Sequence, residues 1–301
     1  MGNRPRTKRT IGPLAGVLTA DYNECNDLAQ PLVRLAQMTS PAHKEMAGCN
    51  AVVTGSSSGI GRAIALELAA AGSNVLVHAG HRENAAATVA DEVRAHGVES
   101  HVVVQDIADA SGQDRLFAEV RRCFAIADVW VNVAGADVLT GEAASWDFEQ
   151  KLEALWRVDV VATARLSRMA GHWMRATRVG RSQPAALLTI GWDQVELGME
   201  GDSGQLFAAV KGAVMAFTKS LALSLAPDVR VNCLAPGWIR TKWAEAASQK
   251  WQNRAQRESQ LSRWGAPEEV AQTARFLVSP RASFINGQIV NVNGGFRPSG
   301  S

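Results

Sequence analysis

Tyrosine is nearly absent. The one copy in 301 residues is Tyr22, close to the start. A folded region beginning near residue 46 therefore has no phenolic hydroxyl of its own. Cysteine is scarce as well: Cys25, Cys49, Cys123 and Cys233 stand far apart with no CxxC pair. That pattern excludes a zinc framework and a disulfide scaffold, and reads as reduced, small apolar side chains of a cytoplasmic protein. His78 and His172 have no second ligand at metal spacing, so they read as core or surface residues and no metal is expected. Excess charge is missing too, with 31 basic residues against 29 acidic ones and a net charge of +2. No strong field favours nucleic acid. No apolar run reads as long enough to span a bilayer, so no membrane partner is expected. Internal repeats and low-complexity linkers are also absent.

Residues 1–45 carry no clear period and read as an extension, partly disordered or with one short helix over 28–38 ended by Ser40-Pro41. Arg4, Arg6, Lys8 and Arg9 precede a short apolar piece, which faintly resembles an export signal. Pro13 and Gly16 interrupt it, and a loose tail is the better reading. A docking arm is a further role open to this segment.

From residue 46 to 301 the pattern changes to one α/β domain. Its organising stretch is Ala51-Val52-Val53-Thr54-Gly55-Ser56-Ser57-Ser58-Gly59-Ile60-Gly61. A β-branched run stops at Gly55, a small polar turn follows, and an Ala/Leu-rich helix runs to Gly72. Strand, glycine turn and helix start place free backbone N–H groups against a phosphate. Gly55 allows the turn, Gly59 allows close approach of a pyrophosphate, and Gly61 brings the helix close to the sheet. Further strands are predicted at 75–78, 101–104, 129–133, 186–190, 229–234 and 288–292. Helices are predicted at 83–96, from a Ser111 cap to Phe124, at 146–178, at 206–225, over an insert at 242–261, and from Pro267. Apolar, mostly unalternated strands with intervening helices predict a doubly wound, seven-stranded parallel sheet covered on both faces, a Rossmann arrangement.

Several local signatures in this order resemble the short-chain dehydrogenase/reductase family over about residues 46–296. Thr54-Gly55-(Ser)3-Gly59-Ile60-Gly61 matches its TGxxxGIG turn. Asp106, followed by Ile107, sits where the family holds the adenine. Asn132-Val133-Ala134-Gly135 resembles its NNAG turn. Lys211 matches the lysine of its YxxxK helix. Pro236-Gly237-Trp238-Ile239-Arg240-Thr241 matches its PG-x-I-x-T segment beside the nicotinamide amide. The tail Gly287-Gln288 to Asn293-Gly294-Gly295 resembles the 3-oxoacyl-carrier-protein-reductase-like branch. The resemblance implies a dinucleotide site built from Gly55, Ser57, Ser58, Gly59, Ile60, Gly61, Asp106, Ile107, Asn132, Ala134, Gly135, Lys211, Pro236, Gly237, Ile239 and Thr241. It also implies a small-molecule substrate and a homodimer or homotetramer built on the long helices at 147–178 and 204–226.

A carboxylate ending the second strand would favour NAD. The residues there are His78-Ala79-Gly80-His81-Arg82. His81 and Arg82 could meet a 2′-phosphate, so NADP is expected, with NAD the other candidate.

The catalytic positions depart from the resemblance. Phe207 stands at the Tyr position, Trp192 at the Ser position and Asp159 at the Asn position. Phe207 can neither give nor take a proton. One reading keeps an oxidoreductase acting on a carbonyl or alcohol, with the proton supplied by Lys211, Asp159, Asp193, Asp202 or Ser203. The other is a catalytically inactive nucleotide-binding homologue, a partner subunit or sensor. Trp192, Trp238, Trp243 and Trp251 fall where the family's substrate lid lies, and could line a pocket for a flat or apolar ligand or simply pack the lid.

Overall fold

The structure is a computed structural model that describes residues 44–178 and 183–297. The helix expected over 28–38 lies outside the described residues. Residues from Lys44 onward belong to one compact unit.

The seven strands are β1 (Asn50–Thr54), β2 (Asn74–Ala79), β3 (Ser100–Val104), β4 (Val129–Asn132), β5 (Ala185–Ile190), β6 (Val229–Pro236) and β7 (Ile289–Val292). They form one sheet in the order β3-β2-β1-β4-β5-β6-β7, and every pair is parallel. The sequence reading of a seven-stranded parallel sheet therefore holds. Alternate side chains feed two cores. Val53, Val77, Val131 and Leu188 pack beneath α1 (Gly59–Ala70), α2 (Glu83–Arg94) and α9 (Pro267–Val278). Val52, Leu76, Trp130 and Leu187 pack on the other face, against α3 (Ala110–Cys123), α5 (Thr163–Thr177) and α6 (Asp202–Leu225). Burial on both faces explains why the strands read as continuous apolar runs.

Some boundaries moved. Asp109, not Ser111, caps α3: its carboxylate accepts from the Gly112 amide, and Ser111 donates to that same carboxylate. The long helix starts at Phe148, behind an Asp147–Gln150 capping box, and is not uniform. After α4 (Phe148–Leu155) one stretch, Trp156–Ala162, widens to π-helical winding before α5. The insert is two helices, α7 (Lys242–Ala246) and α8 (Gln249–Glu258). The expectation that no apolar run could span a bilayer needs correcting. At 24 residues, α6 is long and apolar enough to do so. Its Leu206, Val210, Val214, Leu221 and Leu225 are buried inside the fold.

The sheet order reverses about β1, between β2 and β4, so a crevice opens beyond their carboxyl ends. The Thr54 hydroxyl fixes that point. It accepts from the amides of Val133 (3.1 Å) and Ala134 (3.2 Å), tying the ends of β1 and β4 together.

Candidate active site

The glycine turn is held from behind. Gly55 has φ +66°, and a Cβ there would stand 2.6 Å from the Cα of Ala134, so both conformation and space demand glycine. A Cβ on Gly61 would collide with the Gly55 carbonyl. At Gly59, with φ +56°, a Cβ would meet a Thr241 methyl at 3.7 Å. Gly59 thus lies within side-chain contact of Thr241, and both line one cavity. No side chain caps α1, and its first turn carries no acid. Its N-terminal amides are therefore available to an anion. Arg82 stands beside them, donating to the Ser58 hydroxyl at 2.9 Å.

His78 is part of this cradle, which the sequence did not signal. The Gly55 amide donates to its Nδ1 at 3.1 Å, and its Nε2 lies 2.8 Å from the Gln105 carbonyl oxygen. A carbonyl only accepts, so Nε2 carries the hydrogen and the ring is neutral. Burial pushes this imidazole below its usual pKa.

At the end of β3, Asp106 lies exposed, 3.7 Å from the His81 ring nitrogen across the end of β2. One Asp106 oxygen accepts from the Ala108 amide. Two of the expected cofactor residues turn their side chains inward. The Asn132 side chain is buried, accepting from the Trp130 indole and donating to Ser167. Ile107 turns its side chain into the second core, and its carbonyl accepts from Gln113. Ser57 is almost fully buried.

Beyond the ends of β5 and β6 lies a cavity of about 460 Å³. Ile60, Ile190, Pro236, Gly237, Ile239 and Thr241 line it, together with Lys211 from α6. Lys211 Nζ lies 2.8 Å from Asp159 Oδ1. Asp159 comes from the π-helical stretch and is 3% exposed. Its second oxygen accepts from the Ala136 amide at 2.9 Å, so it also grips the turn after Gly135. A Cβ on Gly135 would press on the Asp159 carboxylate at 3.0 Å. Widened helical winding recurs at functional sites; this one carries the acid that holds Lys211.

Phe207 and Trp192 line the same cavity, with ring centroids 6.3 Å apart in an edge contact. Ser203, one turn before Phe207, lines it too. Asp202 is exposed at the start of α6. Asp193 does not line the cavity. Its buried carboxyl accepts from Asn293 at 3.0 Å and sits against Gly237 from behind. Burial is the main cause that raises its pKa to about 6. Leu139, Met199 and Trp264 line the cavity without having been singled out in the sequence. They stand on loops whose spacing carries no periodic signal.

Residues 55–297 match a family model described as enoyl-(acyl carrier protein) reductase. The chain belongs to the short-chain dehydrogenase/reductase family. Within it, the chain is 33% identical over 255 residues to the 3-oxoacyl-[acyl-carrier-protein] reductase FabG of Aquifex aeolicus, covering 83% of this chain and 98% of that one. It is 36% identical over 255 residues to a Synechocystis 3-oxoacyl-[acyl-carrier-protein] reductase, covering 81% and 95%. Among solved structures, a Burkholderia cenocepacia short chain dehydrogenase in complex with NADP superposes with a TM-score of 0.74, at 26% identity, covering 83% of this chain and 98% of that one. A Serratia marcescens short-chain dehydrogenase/reductase gives 0.75 at 27% identity, covering 84% and 99%. The family's fold and glycine turn are kept here.

Proposed function

We propose that the protein is an NADP(H)-dependent oxidoreductase of carbonyl or alcohol substrates in which Lys211, not a tyrosine, handles the proton. The observation that carries this is the Lys211–Asp159 pair. It sets an ammonium group in the cavity lining, 3.4 Å from the Ile190 carbonyl at the end of β5.

The residues fit a dinucleotide. The uncapped amides of α1 and the cavity lined by Ser58, Gly59, Arg82, Thr241 and Lys242 suit a diphosphate. Arg82 and His81 would meet a 2′-phosphate, and Asp106 the adenine end. NADP bound to the Burkholderia neighbour supports NADP as a cofactor. When bound, the reduced nicotinamide would supply a hydride. The residues of this chain do the rest. Trp192 and Phe207 exclude water from the substrate carbon. Lys211 protonates the carbonyl oxygen as the carbon is reduced, and is reprotonated from solvent through the cavity mouth. Asp159 holds Nζ in place through that exchange. Ser203, in the same lining, offers the substrate a hydroxyl.

The Trp192–Phe207 ring contact favours a second reading, because it fills with carbon the place where the family carries hydroxyls. In that reading the protein binds NADP(H) and does not turn over, acting as a partner subunit or sensor. Calorimetry with NADPH, followed by a carbonyl screen read by NADPH absorbance, separates the two. Binding with turnover that is lost in Lys211→Met supports the enzyme. Tight binding with no oxidation across the screen supports the partner, and no binding removes both. A homodimer or homotetramer is proposed with either reading, and gel filtration with light scattering tests it.

A further inference from the structure

We propose that the cavity selects a neutral, planar, fused-ring carbonyl compound, gripped between two aromatic walls. This rests on the oxidoreductase reading above and names its substrate class.

One wall is Trp192 with Phe207. The other is a cluster of Trp238, Trp243, Trp251 and Trp264, whose neighbouring ring centroids lie 5.7 to 6.3 Å apart. Among the described residues no ring contact joins the two walls, and the cavity of about 460 Å³ is lined by both. That volume lies in the range that encloses a small organic molecule. The four-tryptophan cluster is anchored from behind. The Trp238 indole N–H donates to the buried Glu258 carboxylate at 2.9 Å, and the Arg254 guanidinium lies over Trp251, 5.5 Å from its ring centre. An anchored ring loses little freedom when a ligand stacks on it.

Charge sets the second half of the selection. Of the cavity's lining residues, Lys211 alone is charged, and Asp159 balances it. Arg254, which lies over Trp251, is committed to Glu200 and Glu258. A phosphate-bearing carrier arm or a free carboxylate finds no guanidinium in the lining of this cavity. Flat rings meet faces and edges suited to offset or edge-on packing. A saturated skeleton of the same outline gains only dispersion. The ligand's single polar handle, its carbonyl, belongs at Lys211. There the carbon gains a hydride from NADPH and the oxygen gains a proton from Lys211, giving a secondary alcohol and NADP+.

The test uses the full-length protein loaded with NADP+, titrated calorimetrically with 2-naphthol and with trans-2-decalol, which share an outline but not a π face. The result expected is at least tenfold tighter binding of 2-naphthol, a tenfold or greater loss in Trp251→Leu, and retention in Trp251→Phe, which keeps a ring. With NADPH, 2-tetralone is expected to show a larger kcat/KM than the N-acetylcysteamine thioester of acetoacetate. Equal binding of the two alcohols overturns the proposal, as does an equal loss in both Trp251 variants or a preference for the thioester. If NADP+ binds and 2-naphthol does not, this proposal alone falls. If NADP+ itself fails to bind, the oxidoreductase reading falls with it.

Discussion

Asp159 spends one carboxylate oxygen on the Lys211 ammonium, at 2.8 Å, and the other on the amide of Ala136. The pair couples α6 to the turn that follows β4, and both partners are largely shut away from water. Removing one partner of a buried pair strands the other, at a cost of about 3–5 kcal/mol. Asp159→Ala is therefore expected to lower the midpoint of chemical denaturation sharply. Asp159→Asn keeps an acceptor for Ala136 and should cost less. Urea unfolding of both variants checks the order.

Phe207 stands four residues before Lys211 on α6, so the two side chains share a helix face. Phe207→Tyr would place a phenol beside an ammonium already fixed by Asp159. General acid–base help is worth about 10²–10⁴-fold. An increase of at least tenfold in NADPH-dependent reduction is expected, visible in steady-state absorbance.

Arg82 donates to Ser58 at the edge of the phosphate turn. If it meets the 2′-phosphate, Arg82→Ala should weaken NADPH about tenfold while changing NADH by less than threefold. Parallel titrations read by nucleotide fluorescence compare the two.

His78 makes stability depend on acid. Its ring accepts from Gly55 and is held below the ordinary histidine pKa by burial. Below that ordinary value the unfolded chain takes up a proton that the folded chain refuses, so stability is full above it and falls as the pH drops. Protonation would also set a second N–H against the Gly55 amide and loosen the phosphate turn. His78→Gln should flatten this contribution, and NADP+ affinity in wild type should decline with acid. Melting and binding curves between pH 8 and 5 read both effects.

Asp193 works in the opposite sense. Its folded pKa is raised to about 6, chiefly by burial, so it is a strained anion at pH 8 and takes up a proton as the pH falls through that value. The folded state binds the extra proton, and stability from this group rises on acidification. Asp193→Asn is expected to stabilise at pH 8 by on the order of 2 kcal/mol, with the gain shrinking as the pH falls below about 6 and gone only below the unfolded value of 3.8. A gain undiminished between pH 8 and pH 4 would argue against the charge as its cause.

Much of the architecture was legible because it rests on local chemistry. β1, the glycine turn and α1 follow from a β-branched run, Gly55 and an alanine-rich helix, each signalled within a few residues. The site was legible only where backbone makes it. Asn132 looked like a site residue from its motif, and Asp193 because it follows β5. Their side chains are instead drawn to Ser167 and Asn293, partners 35 and 100 residues away that spacing cannot reveal. The π-helical turn that aims Asp159 at Lys211 is equally silent in sequence, since one widened turn leaves the apolar period almost intact. His78 looked like an idle core residue, and its role needs the Gly55 amide brought to it from another strand.

The most direct measurement is the rate of NADPH oxidation with 2-tetralone by wild type and by Lys211→Met, at saturating NADPH with occupancy checked by nucleotide fluorescence. A loss of at least a hundredfold in the variant is the expected result. A cofactor-loaded Lys211→Met protein that turns over at the wild-type rate would contradict the role given to the Lys211–Asp159 pair.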